Sequence, residues 1–242
     1  MHQQAYTIEY LNQSSCVGST NLQPVANPAG TLDPFPGARE KKARSQSDSM
    51  DDPHVRAAFH KRVLQEHWKN PDALVIDELG VCHGYARVDI AVVNGQLHGF
   101  EIKSEVDSLC RLGHQVHVYS AVLDKVTLVT HGRHLGHALS LVPEWWGIKV
   151  ASRGTRGGIT FTNVRRAERN TAISPIALVE FLWRPEVLHE LEQRNALGNL
   201  RSKSKSLLYD RLLEVVSLDE LRGLVRHDLK ARKNWRSDER RM

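Results

Sequence analysis

The sequence predicts an α/β protein in which a central mixed sheet carries helices on both faces and is extended at its C-terminal end by a basic helical region. Three observations predict it. Two apolar runs meet at Asn94-Gly95, the strongest short hairpin signal a sequence offers. The segment that follows repeats its apolar residues at steps of three and four, and beyond it strand-like and helix-like stretches alternate.

In chain order, residues 1–49 are rich in Ser, Pro, Gly, Asn and Gln and show no sustained apolar period, so they read as a disordered N-terminal segment. Met50 then opens MDDPHVRAAFHKRVLQ, where an acidic cap, a proline and a helical period begin together. Either Met50 is the functional start and the preceding residues are an extension, or those residues are a regulatory tail. The helical run VRAAFHKRVLQEHW carries Glu66, and the apolar segment DALVIDELGV is interrupted by Glu78.

The run RVDIAVVNGQLHGFEIKSE places Asp89, Glu101 and Lys103 inside stretches that otherwise read as buried strand. Side chains on a strand alternate faces, so the turn length decides whether these charges meet. A two-residue Asn94-Gly95 turn would leave Asp89 on the opposite face from Glu101 and Lys103. A three-residue loop, Val93-Asn94-Gly95 with Gly95 left-handed, puts Asp89, Ala91, Gly99, Glu101 and Lys103 on one face and Val88, Ile90, Val92, Phe100 and Ile102 on the other. That register separates polar from bulky apolar residues, and it makes Asp89 and Glu101 diagonal neighbours.

Two adjacent carboxylates repel, and one lysine offsets that only in part. A divalent cation removes the conflict, because Mg²⁺ is commonly held by one or two carboxylates plus water and substrate phosphate. Lys103, on the same face, could orient or help deprotonate the water that attacks phosphorus. A surface hairpin with an ordinary salt bridge is the plainer alternative.

At these positions the chain resembles the PD-(D/E)xK nuclease superfamily, with Asp89 and Glu101-Ile102-Lys103 standing at its core motif. Next comes SLCRLGHQVHVYSAVLDKV, where Leu109, Leu112, Val116, Tyr119 and Leu123 keep a helical period. Within it Gln115 and Tyr119 are similar to the QxxxY motif of the RecB-like branch, one helical turn apart and on one face with Arg111. The resemblance implies a restriction-endonuclease-like core, Mg²⁺ (or Mn²⁺) as cofactor, and hydrolysis of DNA phosphodiester bonds by a metal-activated water. It further implies Glu78 (with Glu66 the alternative), Asp89 and Glu101 as metal ligands, and Lys103, Gln115 and Tyr119 as catalytic residues. The family's proline is absent, Val88 standing before Asp89. The resemblance covers residues 51–152 and looks like a bacterial group of unassigned function. A non-catalytic nucleic-acid-binding or regulatory protein that keeps the nuclease fold is the competing expectation.

Composition bounds these readings. A chain of 242 residues, 40% hydrophobic, can bury one good core plus a small second unit. The net charge is +5, and residues 201–242 hold 12 Lys+Arg against 7 Asp+Glu, while residues 1–200 hold 21 of each. The basic surplus therefore lies in the tail, where a nucleic-acid partner would want it. Cys16, Cys82 and Cys110 are far apart with no CxxC, which supports neither a zinc site nor a disulfide framework and makes a reducing cytoplasm the expectation. No apolar run approaches membrane-spanning length.

The remaining elements follow by pattern. KVTLVTH reads as a strand, LGHALSLVPE as a short helix, WWGIKVAS as a strand and GITFTNVRRA as another strand across a glycine turn. Consecutive steps of three carry His131, His134 and His137 around a helix and no acid completes a zinc set. The domains expected are 1–49, a nuclease-like core at 50–170 and a basic helical region at 171–242. In that region Ser174-Pro175 and Arg184-Pro185 start helices, Ser206 caps LLYDRLLEVV, and Ser217 with Glu220 forms a capping box. Its order of helix, loop, RSKSKS and helix is similar in outline to a SAP-type DNA-binding module, the alternative being a bundle packed on the core. Lys203, Lys205, Arg232, Lys233 and Arg236, with Arg111, are the expected nucleic-acid contacts.

Overall fold

The computed structural model describes residues 50–232. The N-terminal segment 1–49, and with it any reading of disorder there, lies outside the described residues, as do Lys233 and Arg236. Among the described residues six strands form one sheet in sequence order: β1 (Leu74–Val81), β2 (Ala86–Val93), β3 (Leu97–Lys103), β4 (Lys125–His131), β5 (Gly147–Arg153) and β6 (Ile159–Arg165). β1 to β3 are an antiparallel meander, β3, β4 and β5 are parallel, and β6 returns antiparallel. Parallel neighbours need a crossover. These are supplied by α3 (Leu112–Val122) and α4 (Leu135–Leu141).

The first face of the sheet is covered by these helices and by α5 (Pro175–Val179), α6 (Arg184–Gln193), α7 (Lys205–Val215) and α8 (Leu218–Ala231), whose apolar side chains share one core with β1 to β5. The helical C-terminal region thus packs on the sheet as the bundle alternative expected. Buried Asp124, at the entry to β4, fixes it: Asp124 accepts from the Leu97 amide at 2.8 Å and pairs with Arg222 of α8 at 3.2 Å. Ser217 and Glu220 close the expected capping box of α8. Ser204, rather than Ser206, caps α7, because its hydroxyl reaches the Leu207 amide.

The second face is covered by α1 (Asp52–Arg62) and α2 (Gln65–Lys69), into which the single predicted helical run divides. Asp51 caps α1 and Pro53 sits in its first turn. Phe59, fully buried, meets Phe100 at 5.1 Å and Phe161 at 5.2 Å between ring centroids. Burying a side chain of that size contributes about 1.5–3 kcal/mol.

The β2–β3 hairpin has the expected odd loop, with Gly95 at φ 64°. The loop is Asn94-Gly95-Gln96, one residue later than expected, since Val93 pairs with Leu97. Val93 is fully buried and stays in the strand. The shift turns a diagonal relation into a direct one: with Ile90 opposite Phe100, Asp89 falls opposite Glu101. Val88 also departs from expectation, packing with Ala91 on the first face instead of with Ile90 on the second. The cause is a matched interruption in β1 and β2. Asp77 pairs with Ile90 and Leu79 with Val88, but between them Glu78 adopts φ 60° and the ladder breaks opposite Asp89. Gly99 makes room for the displaced Val88, as a Cβ there would lie 2.5 Å from Leu123 Cδ1 and 3.1 Å from Val88 Cγ1.

Candidate active site

Three carboxylates lie in one row across three neighbouring strands: Glu78 on β1, Asp89 on β2 and Glu101 on β3. The row runs along the broken ladder. A non-glycine residue at positive φ inside a strand is uncommon and concentrates at functional sites. All three carboxylates line one cavity of about 480 Å³, together with Lys103, Gln115 and Arg111.

Glu101 is 1% and Lys103 5% exposed, and Lys103 Nζ lies 2.6 Å from Glu101 Oε1. From α3, Gln115 Nε2 donates to the same oxygen at 2.5 Å. The Tyr119 hydroxyl lies 2.8 Å from Glu101 Oε2 and 2.6 Å from the Arg87 carbonyl oxygen. The hydroxyl donates toward both acceptors. Burial, with Asp89 adding its charge, pushes the Glu101 carboxyl up to about 7. Tyr119 stands behind Glu101 as its hydrogen-bond partner, whereas Gln115 both bonds Glu101 and lines the cavity.

Asp89 accepts from the Ile102 amide at 2.7 Å and from Arg56 at 2.9 Å. Burial raises its carboxyl above the usual range despite those donors. Arg56, from α1, also reaches Glu78 at 3.0 Å and Asp52 at 3.3 Å. Sequence reasoning missed Arg56, because its role depends on where α1 docks across β2. It also missed Tyr85 at the cavity rim, 54% exposed, with its ring 5.7 Å from that of His114.

Glu78 is therefore the glutamate brought into the cavity, whereas Glu66 is exposed on α2 and pairs with Lys69. Arg111 lies exposed at the mouth, just before α3. Lys203 is exposed and Lys205 stands over the Tyr209 ring at 5.0 Å. Arg232, expected to contact nucleic acid, is spent inside the fold: it forks onto Glu186, donates to the Phe181 carbonyl and stacks on Trp183.

Among the described residues no group of three or more His, Cys, Asp or Glu is placed to hold a metal ion. Asp89 and Glu101 alone suit an ion that keeps most of its water, such as Mg²⁺, and do not suit a full protein cage. Two observations favour such a fit. The charge of Asp89 makes ionisation of Glu101 costlier, and Gln115 Oε1 is buried without a partner among the described residues.

Fold and site together define an α/β protein whose mixed sheet is interrupted at a carboxylate-lined cleft. The family model for bacteriophage P4 protein cII matches residues 45–240, and the chain belongs to that family. Protein cII of Enterobacteria phage P4 is 29% identical over 122 residues, which span 50% of this chain and 46% of that protein. A solved protein of unknown function from Silicibacter pomeroyi covers 62% of this chain and 92% of its own, at 19% identity and a TM-score of 0.36. Among the described residues no helix is long and apolar enough to cross a membrane.

Proposed function

We propose that this protein is a metal-dependent nuclease that hydrolyses phosphodiester bonds of DNA. The observation that carries the reading is the convergence of Asp89, Glu101 and Lys103 on one cavity, with Lys103 buried against Glu101. The resemblance of these residues, with Gln115 and Tyr119, to the PD-(D/E)xK motifs supports the same reading. Asp89 and Glu101 would hold Mg²⁺ or Mn²⁺, and Glu78 stands in the same row to assist. When bound, such an ion supplies Lewis acidity and charge neutralisation for displacement at phosphorus. Lys103 orients the attacking water and offsets charge that builds on the phosphoryl oxygens. Gln115 and Tyr119 fix the carboxylate of Glu101, Arg111 meets the backbone at the mouth, and Tyr85 offers a base a stacking surface. Lys203 and Lys205 add backbone contacts. The setting is a reducing cytoplasm.

A second reading, a nucleic-acid-binding protein without catalysis, is favoured by one observation: Arg56 already bridges Asp89 and Glu78, neutralising part of the ligand set. A panel of labelled DNA and RNA incubated with Mg²⁺, with Mn²⁺ and with chelator separates the two. Divalent-dependent cleavage of DNA that falls by about 10²–10⁴-fold in Lys103→Ala supports the nuclease. Binding without cleavage in any metal supports the second reading.

A further inference from the structure

A second cavity, of about 360 Å³, lies toward the hairpin end of the sheet. It sits on the opposite side of β3 from Glu101: the His98 ring stacks on Phe100 at 4.2 Å, and Phe100 belongs to the core beneath α1. From His98 to Glu101 is three residues, about 10 Å along the strand. The two cavities share no lining residue and are separate sites.

Its lining is one-signed. His67, His98, Lys125, Lys149, Arg165 and Arg166 contribute to it, and no Asp or Glu does. Among the described residues none of the two lysines and two arginines forms an ion pair with a carboxylate. Arg165 is held by the carbonyls of Trp146 and Pro143, and Lys149 donates to Asn163 Oδ1, so both are positioned by neutral partners that leave their charge unmatched. Thr127 adds a buried hydroxyl 2.9 Å from His98 Nε2. Four cations gathered without a counter-charge repel one another and lose hydration, a cost that a surface salt-bridge pattern would avoid. Such a cavity is complementary to an oxyanion with several acceptor oxygens.

We propose that this second cavity is a phosphate-binding site, in which Lys125 and Lys149 grip the phosphate from two neighbouring elements of the sheet and Thr127 with Asn163 supplies neutral hydrogen bonds. It stands independently of the nuclease reading, since none of these residues lines the cleft at Asp89. The phosphate belongs either to a small phosphate ester or to a nucleic-acid strand.

Calorimetric titration of the full chain tests this with four probes: inorganic phosphate, a nucleoside 5′-monophosphate, the parent nucleoside and a short single-stranded DNA. The double variant Lys125→Gln/Lys149→Gln and, as a control exposed on α1 outside both cavities, Lys61→Gln are measured alongside, each checked for folding by circular dichroism. The expected result is binding of phosphate-bearing probes but not the nucleoside, weakened about tenfold or more in the double variant and unchanged in the control. A loss confined to the monophosphate and phosphate assigns the site to small esters, and a loss confined to DNA assigns it to a strand. Both outcomes uphold a phosphate site. Equal affinity of every probe for wild type and double variant, or no binding of any phosphate-bearing probe, overturns it.

Discussion

The two cavities that flank β3 differ in how they treat charge. Five of the residues lining the cleft at Asp89 are carboxylates, and cations supplied by the fold, Lys103 and Arg56, are set directly on them. The cavity at His98 gathers cations and brings no carboxylate to any of them. The first cavity is partly compensated and retains a negative surplus, whereas the second retains an uncompensated positive one. The contrast also shows why net charge misleads. Residues 1–200 are neutral in sum, yet the fold sorts charges among them into two separate cavities.

Removing a cation should therefore have opposite consequences in the two cavities. The largest effect is expected for Arg56→Gln, which leaves Asp89 and Glu78 without their shared partner and should lower stability by about 1–3 kcal/mol in chemical denaturation. The same variant should gain more thermal stabilisation from Mn²⁺ than wild type does, because the ion no longer competes with the guanidinium. An Arg56→Gln protein as stable as wild type would break the comparison.

Next in size is the pH dependence that Glu101 imposes. Its folded carboxyl is raised from 4.5 to about 7 by burial, then by Asp89. Between those values the folded protein holds a proton that the unfolded chain has released, so stability falls as pH rises through that window and levels off above it. Below about pH 4.5 the group makes no difference. Unfolding measured across this range should show the decline in wild type and a flatter profile in Glu101→Gln. The smallest effect is expected for Lys149→Gln, where removing a repelled, partly buried cation should leave stability within about 0.5 kcal/mol of wild type or raise it. A large loss there would mean that the basic cavity is a packing feature.

Much of the acidic site was legible in the sequence because its charges interrupt runs that otherwise alternate. Asp89, Glu101 and Lys103 stood out against buried neighbours, and the Asn94-Gly95 signal with parity sufficed to place them together. Three things were not legible. The loop sits one residue later because Val93 is claimed by the core, a tertiary preference that turn chemistry does not encode. Val88 changes face because β1 and β2 are interrupted together, and neither strand shows this alone. Arg56 reaches Asp89 only through the docking of α1, 33 residues away in sequence. The basic cavity left no local trace at all, since its residues come from α2, five strands, the β2–β3 loop and the segment after β6. The C-terminal tail shows the reverse error. Its charge surplus was plain, but Arg232 is consumed by Glu186 and Trp183 inside the fold.

The measurement that bears most directly on the cleft is the rate of DNA cleavage as a function of Mn²⁺ concentration, for wild type, Asp89→Asn and Glu101→Gln, with folding verified for each. Asparagine and glutamine keep the shape of the site and remove one charge from the pair. The account predicts a saturable rise in rate for wild type and no rise for either variant over the same range. Cleavage in both variants that matches wild type at every concentration, or no cleavage by wild type at any, would contradict it.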